Sequence, residues 1–319
     1  MTGAFAARER RPHRLVLVGS VLVDILLYVQ TLPERGGDVM AHERIITSGG
    51  GFNVLAGAVR LGLPAAYGGR IGDGPMGAQV ARDLEAAGIP TLTSRVEDED
   101  TGFDVGIVEH DGERTFITSP GVESRLARAD LAALPLRLDD ALYVSGYDLT
   151  YPISGPALDD WLPDLDDDLL LVVDPGPLVA SIPAARLTRV LERTDILSLN
   201  ARETRLLTGL DDPAAGAQAL VGRLRQGGRV VTRIGAGGCW IVAAAEAPVH
   251  LPAFPARAVV DTTGAGDAHV AALLASLAAG KDFIEAAWAA NVAAALSVER
   301  RGPATTPTYA ELARRLTTT

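Results

Sequence analysis

The chain reads as an α/β protein: a central, mostly parallel sheet flanked by helices, with a small β-sheet lid. Three observations predict this. Short apolar runs recur between helical stretches, glycines fall where those helices should stop, and two β-type segments interrupt the alternation.

The apolar runs are Leu15–Gly19, Ala141–Gly146, Leu169–Asp174, Ile196–Asn200 and Arg229–Ile234. Their separation by helical segments is the pattern of a parallel sheet with crossovers. Apolar residues at helical spacing mark Asn53–Leu61, Gly77–Ala87, Ala214–Arg225, Asp267–Ala279 and Phe283–Ser297. Gly62, Gly88 and Gly280 stand at helix ends. The interrupting segments are Asp38–Thr47 and Thr101–Thr118, the second carrying an Asp111-Gly112 turn between β-type residues. Both lie in the N-terminal third and return to the core. They are therefore expected to pair with each other into a lid, at about 38–47 and 101–118, inserted in one domain spanning 13–319 behind a flexible tail, 1–12.

Of the 319 residues 48% are hydrophobic, enough for a large core, and the net charge is −11. That charge argues against nucleic acid and anionic membrane, which reward basic patches. Small-molecule chemistry fits better. Cys239 is the only cysteine, so no intramolecular disulfide can form, and a cytoplasmic location is expected. The basic stretch Arg8–Arg14 before apolar Leu15–Val29 resembles the start of a secretory signal. Against that reading, Asp24 interrupts the run and would cost roughly 2.5–3.5 kcal/mol at a membrane centre, and no small-residue cleavage site follows.

The most informative motif is Asp261-Thr262-Thr263-Gly264-Ala265-Gly266-Asp267, set directly before an apolar helix. Backbone N–H groups of Gly264, Ala265, Gly266 and Asp267 would converge at the positive end of the helix, an anion hole suited to a phosphoryl group. The same residues are equally a turn with Asp267 as helix cap. No lysine follows the glycines, so this is not a G-x-x-x-x-G-K-[ST] phosphate loop. A second cluster, Ser48-Gly49-Gly50-Gly51-Phe52-Asn53, lets a ligand approach the backbone closely, and Asn53 offers either an amide to hydroxyls or a helix cap. Upstream, Gly19–Asp24 is expected to end the first strand with the Asp24 carboxylate at the ligand-binding edge of the sheet. Gly235-Ala236-Gly237-Gly238-Cys239-Trp240 is not a dinucleotide motif, because Trp240 holds the third glycine position and no helix follows.

Taken in order, these pieces resemble the ribokinase-like (PfkB) family of carbohydrate kinases. Arg60-Leu61-Gly62, Gly69–Asp73 with Gly77, Asn200–Glu203 and Thr232–Gly238 extend the likeness over nearly the whole chain. The resemblance implies a ribokinase-like fold and an ATP-dependent phosphotransferase acting on a hydroxyl, expected to be primary, of a small sugar. Asp267 would be the catalytic base and Gly264, Ala265 and Gly266 the anion hole. The substrate would meet Asp24, Gly50, Gly51 and Asn53, with Phe103 and Tyr147 nearby. Asn200, Thr232, Gly235, Gly237, Gly238 and Asn291 would surround the nucleotide. Glu203 would help place Mg²⁺ through water, and Asp261, Thr263, Ser297, Arg300 and Gly302 would surround K⁺, largely by backbone carbonyls. The exposed edge or face of the lid is also expected to mediate a homodimer.

Departures bear on the substrate. Leu22 stands where ribokinases carry a hydroxyl-binding asparagine, Gly50 replaces a lysine, and Tyr147 falls near a glutamate position. Ser48 and His269 depart from the pattern without an evident role. A less polar pocket near Phe52, Phe103 and Tyr147 could stack a planar ring, which makes a nucleoside or pseudouridine-type kinase the alternative. An inactive sugar-binding sensor on the same scaffold is a third reading.

Overall fold

The computed structural model describes residues 10–110 and 113–317. The strands are β1 (Arg14–Leu17), β2 (Val21–Tyr28), β3 (Glu43–Gly50), β4 (Ala65–Tyr67), β5 (Phe103–Val108), β6 (Arg114–Ser119), β7 (Asp140–Ser145), β8 (Leu170–Asp174), β9 (Ile196–Asn200), β10 (Arg229–Arg233), β11 (Cys239–Ala243) and β12 (Val249–Leu251). The helices are α1 (Phe52–Arg60), α2 (Pro75–Ala86), α3 (Arg128–Ala132), α4 (Gly146–Thr150), α5 (Ser154–Trp161), α6 (Ala184–Arg193), α7 (Ala201–Thr208), α8 (Pro213–Val221), α9 (Ala265–Ala278), α10 (Phe283–Ser297) and α11 (Tyr309–Thr317).

Eight strands form the main sheet in the order β12-β11-β10-β9-β8-β7-β1-β4, parallel from β4 to β10 and antiparallel at β11 and β12. Its two faces bury separate apolar layers. Along β1, Leu15 and Leu17 point into the layer shared with α1, α2, α9 and α10. Val16 joins the opposite layer, with α3, α5, α6 and α8. The two-residue period of a strand thus divides one apolar run between two cores, which is why such strands read as continuously hydrophobic. Helices α9 and α10 are buried almost all round, as their alanine- and leucine-rich sequences allow.

A second sheet, ordered β3-β2-β5-β6, makes the lid. Three sequence expectations are corrected by it. Residues 20–24 do not end the first strand; β1 stops at Leu17 and the chain re-enters extended structure as β2, an eight-residue lid strand that carries Asp24. The two expected lid segments do not pair with each other, because β2 lies between them, antiparallel to β3 and parallel to β5. The first of them begins at Glu43, not Asp38, and runs on to Gly50, so part of the glycine cluster is strand. The mostly apolar run 15–29 hid the break between β1 and β2. The Asp111-Gly112 turn lies outside the described residues, as do residues 1–9 of the expected tail; Arg10 donates to the Leu169 carbonyl at 3.1 Å. No helix among the described residues is long and apolar enough to cross a membrane.

Candidate active site

The carboxyl ends of the parallel strands gather the polar groups. Helix α9 begins there, with Gly264 as its N-cap at φ +72°, a left-handed conformation suited to glycine. A side chain at this position would also lie 2.0 Å from the Pro303 carbonyl. The Ala265 amide turns onto the Thr262 carbonyl at 3.3 Å, so it is less free than expected. The next amides of the first turn, Gly266 and Asp267, have no backbone acceptor outside the helix among the described residues. They and the helix dipole make the anion-attracting end of α9.

Asp267 stands on that first turn. Burial, then the Asp174 carboxylate, push its pKa up to about 6, against the hydrogen bond from Asn53 and the charge of Arg233. Asn53, at the start of α1, donates from Nδ2 to Asp267 Oδ2 at 3.1 Å. Asp267 is therefore a mostly ionised, poorly solvated carboxylate at neutral pH, able to accept a proton.

Two residues that sequence reasoning missed complete this end of the site. Arg233, the last residue of β10, donates to Asp174 Oδ2 at 3.0 Å and to the Gly266 carbonyl at 3.2 Å, and lies 3.9 Å from Glu203. Asp174 is the last residue of β8. Both close apolar runs at the ligand-binding edge, a signal legible in the sequence. Thr232, by contrast, is fully buried with its hydroxyl 3.2 Å from that of Thr204, so it is Arg233 that reaches the site. Asn200 and Glu203 form a capping box: Glu203 Oε2 accepts from the Asn200 amide and Oε1 from its Nδ2, each at 2.7 Å. Burial and Asp174 raise the Glu203 pKa.

Gly235–Gly237 form a short 3-10 turn after β10, and Gly238, at φ +95°, passes so close to Leu251 that a side chain would meet its carbonyl at 2.1 Å. Asn291 donates from Nδ2 to the Pro252 carbonyl at 3.0 Å, so Nε2 of His269 must donate to its Oδ1, at 3.2 Å. Burial and the Arg233 charge hold His269 neutral, its pKa pulled down to about 3. His269 thus has a role: it fixes Asn291, which fixes the 251–252 loop.

Over the opposite side hangs the lid. Asp24 lies directly across from Asp104 in the β2–β5 register. Phe103, one residue earlier, points the other way and packs on the core beside Val23; Phe52 is likewise core. The two-residue strand period decides this, and Asp104 rather than Phe103 shares the face of Asp24. Gly49 leaves room for Asp24, since a side chain there would sit 2.0 Å from the carboxylate oxygens. Gly51 is required by packing on Leu17, and Gly50 by its φ of +58°. Ser48 ties the lid to α2 through Asp83, by its amide at 3.1 Å and its hydroxyl at 2.7 Å. Tyr147 on α4 is 40% exposed, and burial followed by the charges of Asp104, Asp267, Glu203 and Asp24 pushes its pKa up to about 12. Its ring stands half-exposed just past the carboxyl end of β7, beside Gly176.

The 261–263 and 297–302 stretches do meet. Asp261 accepts from the Thr263 amide at 2.8 Å, from the Thr263 hydroxyl at 2.6 Å, and from the Gly302 amide at 3.0 Å. It also pairs with Arg114, from lid strand β6. The Ser297 carbonyl already accepts from the Thr305 hydroxyl and the Arg300 amide, each at 3.1 Å, and Arg300 pairs with Glu311 at 2.5 Å. Both oxygens of Asp261 are thus engaged and its charge is met by a guanidinium. These contacts do not engage the Thr263, Arg300 and Gly302 carbonyls, the larger part of the expected K⁺ set, with a backbone donor among the described residues. Nor do three acidic, histidine or cysteine side chains cluster as a metal cage among the described residues. Asp174 and Glu203 suit a divalent ion that arrives with phosphate and water as its main ligands.

Residues 12–309 match the family model described as pfkB family carbohydrate kinase. The chain is 32% identical over 308 residues to an uncharacterized sugar kinase of Escherichia coli K12, YegV, covering 93% of this chain and 92% of that protein. It is 30% identical over 304 residues to the ribokinase of Mus musculus, covering 92% of each. The structure of Arabidopsis thaliana ribokinase complexed with ribose and ATP superposes with a TM-score of 0.76 at 24% identity, over 96% of this chain and 99% of that one.

Proposed function

Because the chain belongs to the pfkB family of carbohydrate kinases, and is in that class an ATP-dependent kinase, we propose that it phosphorylates a hydroxyl of a small sugar, with Asp267 as general base. The observation that carries this is the position of Asp267: it is held by Asn53 on the free-amide end of α9, opposite the Asp24 side of the lid. The substrate hydroxyl oxygen attacks the γ-phosphorus, the bond from that phosphorus to the β–γ bridging oxygen breaks, ADP leaves, and the hydroxyl proton passes to Asp267. The Gly266 and Asp267 amides and the Arg233 guanidinium lie where negative charge grows. A divalent ion brought with the nucleotide would add charge neutralisation, held near Asp174 and Glu203. Lid closure would keep water from the phosphoryl donor.

Tyr147 favours a second acceptor class, since an exposed aromatic face just past the carboxyl end of β7 also suits a nucleoside. The finer expectations of a cytoplasmic enzyme and a lid-mediated homodimer belong to this reading, the latter supported by the exposed lid residues Ile46, Phe116 and Ile117. The test is ATP consumption against a panel of pentoses, hexoses and nucleosides, with Asp267→Asn as control. Turnover of at least one acceptor that vanishes in the variant supports the reading; turnover indifferent to the variant removes Asp267 from it.

A further inference from the structure

Asp24 and Asp104 are cross-strand neighbours on one face of the lid. Asp24 is 8% exposed. No arginine, lysine or histidine forms an ion pair with either carboxylate among the described residues; the two arginines that reach the site are held elsewhere, Arg233 by Asp174 and Arg114 by Asp261. Burial, then the charges of Asp104 and Asp267, raise the pKa of Asp24 to about 8, and burial raises that of Asp104 to about 6.

The hydrogen-bond polarity of the lining points the same way. Oδ1 of Asp104 is buried without a partner. Asn53 must turn Nδ2 towards the Asp267 carboxylate, which leaves its own Oδ1 as a second buried acceptor without a partner, in a residue only 6% exposed. Two buried acceptor oxygens here, Asp104 Oδ1 and Asn53 Oδ1, therefore lack a donor, while the Asp24 carboxyl, pushed up to about 8, is held protonated at neutral pH. Buried acceptors require donors, and a ligand that ends the mismatch must supply them. A polyol hydroxyl donates. A carboxylate or phosphate brings only further acceptors, and adds negative charge beside the Asp104 and Asp267 carboxylates in a poorly solvated site.

Resting on the kinase reading of the same site, we infer that Asp104 is a specificity-determining residue and that the acceptor substrate is an uncharged polyhydroxylated molecule. Its hydroxyls donate to Asp24, Asp104 and Asn53 Oδ1, and sugar acids and already phosphorylated sugars are excluded. The family likeness does not carry this, because it assigned nothing to position 104.

Binding, measured without nucleotide, separates the inference from the kinase reading. The probes are matched pairs, D-ribose with ribose 5-phosphate and D-glucose with D-gluconate, together with uridine, D-fructose, D-xylose and myo-inositol, read by thermal shift and calorimetry on the full chain. At least one neutral probe should raise the melting temperature, and its anionic counterpart, where the pair has one, should not. In Asp104→Asn, which keeps the size and removes the charge, affinity for that neutral probe should fall about ten-fold, near 1.4 kcal/mol. Asp104→Ala should show the same loss, while the unliganded melting temperature of at least one variant stays near wild type. Stabilisation by an anionic probe over its neutral partner, neutral binding indifferent to both variants, or no stabilisation by any probe each overturns the inference. ATP consumption is scored separately: neutral binding without turnover sinks the kinase reading and leaves the pocket assignment standing.

Discussion

Asn53 Nδ2 and Asp267 Oδ2 lie 3.1 Å apart although 214 residues separate them in the chain. This contact joins the start of α1, where the lid returns to the core, to the first turn of α9. Asn53→Ala should raise the Asp267 pKa above its value of about 6, because the hydrogen bond is one of the two influences that lower it. A base works ionised, so kcat should rise with pH through the Asp267 pKa, and the acid limb of the profile should move to higher pH in the variant. An unmoved limb would separate Asn53 from the base.

Asp267→Asn should keep substrate and ATP binding within a few-fold and lower kcat by roughly 10²–10⁴, the usual contribution of a general base. Steady-state kinetics with calorimetric binding checks both halves.

Arg233 also lowers the Asp267 pKa while pairing with Asp174 and touching the Gly266 carbonyl. Arg233→Met should shift the acid limb of kcat upward and destabilise the fold by about 3–5 kcal/mol, since Asp174 would lose its partner in a buried setting. Arg233→Lys should restore the limb without restoring full kcat, because the charge returns but the two-pronged geometry does not. A limb at the wild-type pH in Arg233→Met would show that its charge does not act on the base.

Gly49→Ala puts a methyl group 2.0 Å from the Asp24 carboxylate oxygens. Displacement of Asp24 should raise the sugar KM by about ten-fold, a change of near 1.4 kcal/mol, and leave the ATP KM within about two-fold. An equal rise in both constants would mean that the lid itself had moved.

The Arg114–Asp261 pair meets the charge that a potassium ion would otherwise neutralise beside α9. Initial rates in K⁺ and in tetramethylammonium at matched ionic strength should therefore agree within about two-fold, a comparison that removes general screening. Arg114→Gln should then create a preference for K⁺. A K⁺ requirement in the wild type would show that Arg114 leaves Asp261 during turnover.

The sequence by itself determined the five central parallel strands and several of the helices around them, and it marked the turn that starts α9. Apolar runs fix strands buried on both faces, and glycines at helix ends fix where chain direction changes, because those signals are local. The Asp261–Asp267 motif was legible for the same reason: a turn and the helix it starts are contiguous. Only the tertiary structure decided which side chains meet. Asp24 belonged to a lid strand hidden inside one apolar run, and Asp104 became its neighbour only through the β2–β5 register. The exchange of Thr232 for Arg233, and of Phe103 for Asp104, followed from the side-chain alternation of a strand, whose sense depends on which face the rest of the molecule covers. The pairing of Arg114 with Asp261 depends on where a lid strand lands, and no spacing within the sequence encodes a contact between residues so far apart.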